Sequence, residues 1–360
     1  MLKKIITWSI NKLDFTPQRF FKTEVIKKVL VVKLCCIGDI VQTTPALKAL
    51  KAAGKEIHFL CNPWVSELVD MIPFVDKKIV INERKAGSIF ATLFKLRKEK
   101  YDLIINFHRN TASNIFIALC GAKYRAGFNW KGQGVYLTNR FEFEAKMHES
   151  LRYLGIVEKL GFSVADDYTE IKRPESAEEK IEINKDKVKI GIFPGGGKNP
   201  GTIMPTKRWP VEFFAELAGL LIKEGKEVCV FGGEIDADVT GAFLEACPEA
   251  KLVVTKNLKD LAYYIPEMTV FIAGDTGPLH MSAALGVKTI GLFGPSSAEL
   301  VAPRGVHCYN IWKSTECAPC YEPDTVHYKG YLKCKDNICM KEISVMELKA
   351  VVDEMVERKV

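Results

Sequence analysis

Three loops in this chain combine glycines with acidic, basic or hydroxyl side chains directly after an apolar, strand-like run. In the first loop, the run from Val29 ends near Leu34, and Gly38 and Asp39 follow before a helical stretch begins around Ile40. A carboxylate at such a strand–helix junction can accept a proton from a hydroxyl nucleophile. Aspartate is also a good helix N-cap, so position alone leaves both catalysis and capping open for Asp39.

The second loop contains Gly195 and Gly196 after the run that starts at Ile190, and Lys207 follows it. Consecutive glycines let the backbone approach a ligand closely, and a lysine can neutralise a phosphate. The loop lacks the spacing of a Walker motif, and the chain has no G-x-G-x-x-G at a strand–helix junction, which disfavours a dinucleotide dehydrogenase. A solvated surface lysine is the alternative for Lys207.

The third loop precedes a helix that Pro278 is predicted to open as its first residue. Backbone N–H groups at Thr276 and Gly277 would then be free to bind an anion, for which a diphosphate is the natural candidate. Asp275 would repel a phosphate and is better suited to hydrogen bonds from sugar hydroxyls. His280 lies one turn into the helix, where a packed structural histidine is the alternative to a ligand-binding one.

Acidic residues follow a further strand-like run, as ribose-binding acids do in nucleotide-binding folds. Glu234 and Asp236 are the candidates for this role. Asp236 and Asp238 also form an Asp-x-Asp pair of the kind that binds metals. Because the pair lies at a predicted helix start, interaction with the helix dipole is the favoured interpretation.

Four of the eleven cysteines are clustered as Cys317, Cys320, Cys334 and Cys339, with His327 between the two pairs. A Cys-x2-Cys pair is a good metal-binding knuckle, but the spacing of the second pair and the spacing between the pairs lie outside the usual zinc-ribbon pattern. A structural zinc ion is therefore one hypothesis. Free or partly oxidised thiols are the favoured one, since no secretion signal is recognised and a reducing compartment disfavours disulfides.

The elements that position these loops alternate between strand-like and helical patterns, which predicts an α/β fold with parallel sheets. We expect two doubly wound domains, and ligands of such folds bind where loops leave the carboxyl ends of the strands. The predicted strands are 29–34, 57–61, 78–81, 103–106, 123–128, 189–193, 227–231, 252–254, 270–273 and 289–293, and the clearest predicted helices in the first half are 41–53 and 89–98.

Composition and charge narrow the class of protein. The chain has 360 residues with 48% apolar and 26% charged side chains, which is ordinary for a globular protein of two domains. Residues 1–33 carry +6 of the net charge of +7, so the near-neutral remainder disfavours a nucleic-acid-binding face. No apolar run reaches 18 residues, which excludes a membrane-spanning helix and predicts a soluble protein.

The basic N-terminal arm, residues 1–28, has apolar side chains at helical spacing. Such a cationic, amphipathic segment can lie on an anionic membrane leaflet. The alternative is a surface helix packed on the body of the protein. We therefore expect either peripheral contact with the inner leaflet through residues 1–25 or a packed helix.

Together the loops resemble glycosyltransferase family 9, the heptosyltransferases of lipopolysaccharide core assembly. Four pieces match in the family's order, and the similarity spans roughly residues 29–345. They are Ile37-Gly-Asp-Ile-Val-x-Thr-x-Pro-Ala-Leu, Lys207-x-Trp-Pro, Gly274-Asp-Thr-Gly-Pro-Leu-His and Leu292-Phe-Gly-Pro. The resemblance implies a GT-B fold, in which two Rossmann-like domains face a central cleft, and inverting transfer from an ADP-sugar without a metal or other cofactor.

The resemblance also implies roles for individual residues. Asp39 matches the catalytic base and Lys207 the phosphate-binding lysine. Asp275, Thr276, Gly277 and His280 match the donor loop, to which we add Pro278, Asp236, Gly195 and Gly196 as donor-binding candidates. The chain departs from the family pattern at Ile105-Asn-Phe-His-Arg-Asn, on the acceptor side.

We therefore expect a cytoplasmic glycosyltransferase that moves a heptose or related sugar from an ADP-sugar to a lipopolysaccharide core or similar glycolipid. The alternatives are another nucleotide sugar or acceptor on the same fold, a catalytically silent glycan- or nucleotide-binding protein, and a metal-dependent regulator centred on the cysteines. The expected segments are an arm at 1–28, an acceptor-side domain with the catalytic base at 29–175, a linker at 176–187, a donor domain at 188–340 and a C-terminal helix at 341–360.

Overall fold

The computed structural model describes residues 17–178, 181, 187–199, 202–321 and 334–358, which divide into two compact units. The first unit runs to Cys35 and resumes from Gln42 to Asp167, and the second takes Cys36–Val41 and continues from Tyr168. This division differs from the expected one, since the segment that carries Asp39 belongs to the second unit. Residues 1–16 of the arm and most of the predicted linker lie outside the described residues.

The first unit is built on a six-stranded parallel sheet with the order β3-β2-β1-β4-β5-β6. This is the strand order of a doubly wound Rossmann fold. The central strand β1 is apolar and fully buried after its first residue, as expected when helices cover both faces of a parallel sheet. The strands are β1 (Lys28–Val32), β2 (Glu56–Cys61), β3 (Lys77–Val80), β4 (Leu103–Asn106), β5 (Tyr124–Asn129) and β6 (Asn139–Glu142).

Helix α1 (Ile37–Val41) belongs to the second unit. The next five helices belong to the first unit. These are α2 (Thr44–Ala52), α3 (Ser66–Asp70), α4 (Ala86–Glu99), α5 (Thr111–Leu119) and α6 (Glu149–Lys159).

The second unit repeats the same order, β11-β10-β7-β12-β13-β14, in a second parallel sheet. Its strands are β7 (Lys189–Phe193), β10 (Glu227–Gly232), β11 (Lys251–Val254), β12 (Val270–Gly274), β13 (Lys288–Phe293) and β14 (Cys308–Trp312), and β8 (Lys198–Asn199) and β9 (Thr202–Ile203) form a short hairpin. Its further helices are α7 (Val211–Lys223), α8 (Ala237–Ala246), α9 (Leu258–Tyr264), α10 (Gly277–Ala284), α11 (Ala298–Val301), α12 (Ile338–Lys341) and α13 (Val345–Glu357).

A buried tryptophan anchors the loop that carries Lys207 to the core of the second unit. Trp209 is 1% exposed, and its indole Nε1 donates a hydrogen bond to the carbonyl of Ile343, 2.9 Å away. Its ring packs edge-on against Phe214 on α7. Trp209, two positions after Lys207, is thereby fixed in the apolar interior.

The two parallel sheets confirm the predicted α/β class, and the predicted strands match ten observed ones to within two residues at each end. The prediction lacks four strands, namely β8 and β9 of the short hairpin and the longer strands β6 and β14. Both β6 and β14 lie at a sheet edge and neither is a continuous apolar run, so their sequences lack the usual signal of a buried strand. The helix predicted at 41–53 is two helices, since α1 ends at Val41 and α2 begins at Thr44.

Among the described residues, no helix is both long and apolar enough to cross a bilayer.

Candidate active site

Several of the candidate donor-binding residues lie in the second unit, on loops that leave the carboxyl ends of three adjacent strands. Gly195 and Gly196 follow β7, Asp236 follows β10 and Asp275 follows β12. Because β10, β7 and β12 are neighbours in a parallel sheet, these loops emerge at the same edge. The structure therefore brings together residues that are separated by up to 80 positions in the sequence.

Lys207 and Asp275 form an ion pair at this edge. The Nζ atom of Lys207 lies 2.5 Å from Oδ2 of Asp275, and the two side chains are only 13% and 12% exposed. The Ser296 hydroxyl donates to the same carboxylate oxygen at 2.6 Å. The lysine ammonium also lies 4.4 Å from the centre of the Tyr321 ring. Lys207 is thus a largely buried cation that is held in place by its partners. The interpretation of Lys207 as a solvated surface lysine is therefore wrong.

The ion pair sets the charge of Asp275. Burial by itself raises the pKa of this carboxyl, but the charge of Lys207 and the contact with His280 outweigh burial and hold the pKa well below its usual range. Nε2 of His280 lies 3.6 Å from Oδ1 of Asp275. The sequence suggested that Asp275 accepts hydrogen bonds from sugar hydroxyls, whereas in the structure one of its oxygens is already occupied by Lys207 and Ser296.

The glycine loop after β7 packs against two of the predicted donor residues. Gly196 has a φ of +101°, and a Cβ atom there would lie 2.1 Å from Cγ2 of Thr276. A Cβ atom on Gly195 would lie 2.4 Å from Oδ1 of Asp236. That oxygen accepts a hydrogen bond from the backbone N–H of Gly196 at 3.0 Å. The glycines are therefore required by close packing, and Asp236 fixes the loop conformation.

Arg208 is a site residue that the sequence analysis did not identify. Its Nε donates to the carbonyl of Gly196 at 2.8 Å, and its guanidinium lies 4.0 Å from Asp236 and 3.9 Å from Asp238. Nη2 of Arg208 and Oγ1 of Thr206 are buried and have no hydrogen-bond partner within the described part of the chain. The adjacency of Arg208 to Lys207 was the only available signal in the sequence.

Helix α10 begins at Gly277, with Thr276 as the N-cap residue. Pro278 is therefore the second helical residue and not the first, as was predicted. The Thr276 hydroxyl donates to the carbonyl of Gly274 at 3.1 Å, and no side chain caps the helix. The positive end of the helix dipole is consequently not neutralised by its own cap, which is the arrangement that favours anions.

Asp39 lies beside this helix. It is the third residue of α1, half-buried, so the helix N-cap interpretation is wrong. A Cβ atom on Gly38 would lie 2.6 Å from Cδ2 of His280, and one on Gly277 would lie 2.7 Å from Cβ of Ile37. Helices α1 and α10 are thus in close contact, and the packed His280 ring lies between Gly38 and Asp275.

The cysteines give no metal-binding geometry. All eleven lie in the described residues, and none of them forms a disulfide. Cys317, Cys320 and Cys334 are near enough to Cys339 to add to the effect of burial, which raises the pKa of that thiol to about 11. Within the described ranges, no group of three or more His, Cys, Asp or Glu side chains could hold a metal ion. His327 lies outside them.

The first unit contains a cluster of cations and aromatic rings at the carboxyl edge of its own sheet, which the sequence analysis also missed. Arg109 follows β4, Trp130 follows β5 and Phe143 follows β6. The guanidiniums of Arg109 and Arg152 lie 4.4 Å and 4.5 Å from the centre of the Phe143 ring. Trp130 is 4.7 Å from Phe143, and Lys131 lies 4.6 Å from Trp130.

Charge is only partly balanced in this cluster. Glu149 pairs with Arg152. No carboxylate among the described residues forms an ion pair with Arg109, and its Nη1 is buried without a hydrogen-bond partner there. A buried guanidinium nitrogen without an acceptor is costly, so this position favours an anionic or hydroxyl-bearing ligand.

The model of the family described as glycosyltransferase family 9 (heptosyltransferase) matches residues 89–329. The chain is 25% identical over 319 residues to lipooligosaccharide heptosyltransferase 2 of Campylobacter jejuni, which covers 85% of this chain and 91% of that protein.

Two solved structures from Escherichia coli share the fold. ADP-heptose lipopolysaccharide heptosyltransferase II aligns with a TM-score of 0.71 at 20% identity, over 91% of this chain and 98% of the other. Heptosyltransferase WaaC with ADP aligns with a TM-score of 0.72 at 17% identity, over 91% and 99%. The fold is therefore of the GT-B type, as predicted.

We expect Gly196→Ala to lower the free energy of unfolding by about 1–3 kcal/mol, because alanine is strained at this φ and its Cβ would meet Thr276. The matched control is Gly219→Ala, which lies within helix α7 with nothing within 4 Å of the added Cβ. There alanine should be neutral or stabilising by up to about 1 kcal/mol. Urea unfolding followed by circular dichroism measures both. Equal effects at the two positions would contradict the close packing of the loop.

Proposed function

The chain belongs to glycosyltransferase family 9 and is a glycosyltransferase, and from this membership we propose that it transfers a heptose or related sugar from an ADP-sugar to a lipopolysaccharide core or similar glycolipid. The observation that carries the proposal is the buried Lys207–Asp275 pair beside the uncapped N-terminus of α10. A positioned cation and a helix dipole at one sheet edge suit a nucleoside diphosphate.

In the proposed reaction, an acceptor hydroxyl attacks the anomeric carbon of the donor sugar from the face opposite the diphosphate. The new C–O bond forms as the bond from that carbon to the phosphate oxygen breaks, so the configuration inverts. Asp39 accepts the proton of the attacking hydroxyl. ADP leaves with the electron pair of the broken bond, and the charge on its terminal phosphate grows.

Lys207 and the N-terminus of α10 would stabilise this growing charge. The pairing with Asp275 supports the role, because it holds the ammonium in place before the donor arrives. Arg208 and Thr206 offer a buried N–H and a hydroxyl without partners in the described residues, and we assign them to the same diphosphate. Gly195 and Gly196 let the backbone approach it, with Asp236 holding the loop in shape.

For the acceptor, the cluster around Arg109 in the first unit supports a sugar that carries a negative charge. Arginine binds carboxylates and phosphates in bidentate fashion. Saccharides that carry a carboxylate or a phosphate fit this chemistry. The acceptor would then be recognised by its charge.

A cytoplasmic location with peripheral contact between residues 1–25 and the inner leaflet also belongs to the proposal. The observation behind it is the charge of +6 on residues 1–33. Attachment of this kind weakens as the salt concentration rises. Equal vesicle binding by the full chain and by a chain that begins at Glu24 would contradict it.

Asp39→Ala should lower kcat by about 10²–10⁴-fold, because the attacking hydroxyl loses its proton acceptor. The affinity for ADP should stay within a few fold, since the base acts on the acceptor. Release of ADP during transfer and calorimetric titration with ADP measure the two quantities. Asp336→Ala, at an exposed position, is the control, and near-normal turnover in Asp39→Ala would remove Asp39 from this role.

Lys207→Ala should weaken ADP binding and lower kcat by about 10²–10³-fold, since the charge on the leaving phosphate grows in the transition state. Asp275→Asn should change both in the same direction but less, because the lysine keeps its charge and loses its fixed position. Lys223→Ala, an exposed lysine of the same unit, is the matched control. Far-UV circular dichroism checks folding, and unchanged ADP titration in folded Lys207→Ala would contradict the assignment.

The proposed mechanism uses no metal ion. Transfer should therefore continue at the same rate after exhaustive treatment with EDTA. Far-UV circular dichroism recorded alongside separates a catalytic from a structural metal. Loss of transfer with the fold intact, restored by an added divalent ion, would show that the mechanism is wrong.

A further inference from the structure

Helix α4 of the first unit is apolar on its outer face as well as its inner face. Thr92 and Leu96 are buried against the sheet. On the opposite face, Phe90 is 62% exposed and Phe94 is 65% exposed, one turn apart. A helix of a soluble protein usually turns charged and polar residues outward, so two neighbouring exposed phenylalanines indicate a surface that is covered by something else.

The apolar surface continues onto the neighbouring helix α5. Ile115 and Leu119, again one turn apart, are 38% and 50% exposed. The two helices are joined at this point, because the Arg97 guanidinium donates to the carbonyl of Leu119 at 2.8 Å. We call Phe90, Phe94, Ile115 and Leu119 the α4–α5 face.

Basic side chains surround the α4–α5 face. Residues 84–100 contain six lysines and arginines and one acid, Glu99. The Glu99 carboxylate forms ion pairs with Lys28 and Lys77, each at 2.5 Å. The hydrogen bond from Lys28 is the main reason that the pKa of Glu99 falls to about 2. It therefore does not neutralise the exposed Lys95 and Lys98, for which the described residues supply no ion pair.

We propose that the α4–α5 face docks on an anionic lipid bilayer. Phe90 and Phe94 would enter the boundary between headgroups and acyl chains, while Lys95, Arg97 and Lys98 contact anionic headgroups. A second copy of the chain fits less well, because joining two such faces would bring their positive charges together. An anionic bilayer would bury the exposed rings and neutralise the basic side chains at the same time.

This inference rests on the proposed function for its purpose, since a glycolipid acceptor is itself held in a membrane. Its physical basis is independent of catalysis. The surface lies in the first unit, whereas Asp39 and Lys207 lie in the second. Lipid binding and sugar transfer can therefore be measured separately.

The test is co-sedimentation of the full chain with vesicles of phosphatidylglycerol and phosphatidylethanolamine, and with phosphatidylcholine vesicles as the neutral comparison. We expect Phe90→Ser with Phe94→Ser to lower binding to the anionic vesicles at least tenfold, and Lys95→Glu with Lys98→Glu to do the same and to reduce the salt dependence. Met346→Ser is the matched control, a side chain of the second unit that is 66% exposed. Circular dichroism confirms that each variant is folded.

Three results would overturn the inference. One is undiminished vesicle binding by the folded Phe90→Ser, Phe94→Ser protein. Another is binding that depends only on the arm, shown by its loss in a chain that begins at Glu24. The third is a dimer in sedimentation equilibrium without lipid that the phenylalanine variant abolishes, since the occupant would then be a second copy. Failure of sugar transfer with vesicle binding intact would instead count against the proposed function.

Discussion

The site in the second unit depends on a buried carboxylate that is neutralised by one lysine. A charge removed from water is tolerated only when it is paired and hydrogen-bonded, so Asp275 requires both Lys207 and Ser296. These three residues come from different loops, and the pairing ties those loops together. The same interaction that makes the carboxylate tolerable also fixes a cation at the edge of the sheet, where an anionic ligand can use it.

Local sequence was sufficient for most of the fold and for the positions of the loops. Apolar runs identify buried strands because both faces of a parallel sheet are covered, and glycines mark the turns after them. The partners of side chains were harder to predict. Lys207 and Asp275 are 68 positions apart, and nothing in either neighbourhood shows that they meet. Arg208 and Arg109 were missed for the same reason, since their significance lies in buried nitrogen atoms without acceptors.

The two units use their matching strand orders for different chemistry. In the second unit, glycines and a helix N-terminus bring backbone N–H groups to the sheet edge, beside the side chains of Lys207 and Arg208, which are held by Asp275 and by the carbonyl of Gly196. In the first unit, the corresponding edge carries long cationic side chains against aromatic rings. Under the proposed function, the edge of the second unit would bind the diphosphate, which is chemically constant, and that of the first would bind the acceptor, whose acidic groups vary.

The close contact between α1 and α10 has a consequence for recombining enzymes of this family. Gly38 accommodates the His280 ring, and Gly277 accommodates Ile37, so the two helices fit each other as a matched pair. A chimera that joins two parents at the main division after Asp167 would leave α1 from one parent against α10 from the other. Transplanting residues 36–41 together with the second unit keeps the pair from a single parent, at the cost of two additional crossover points.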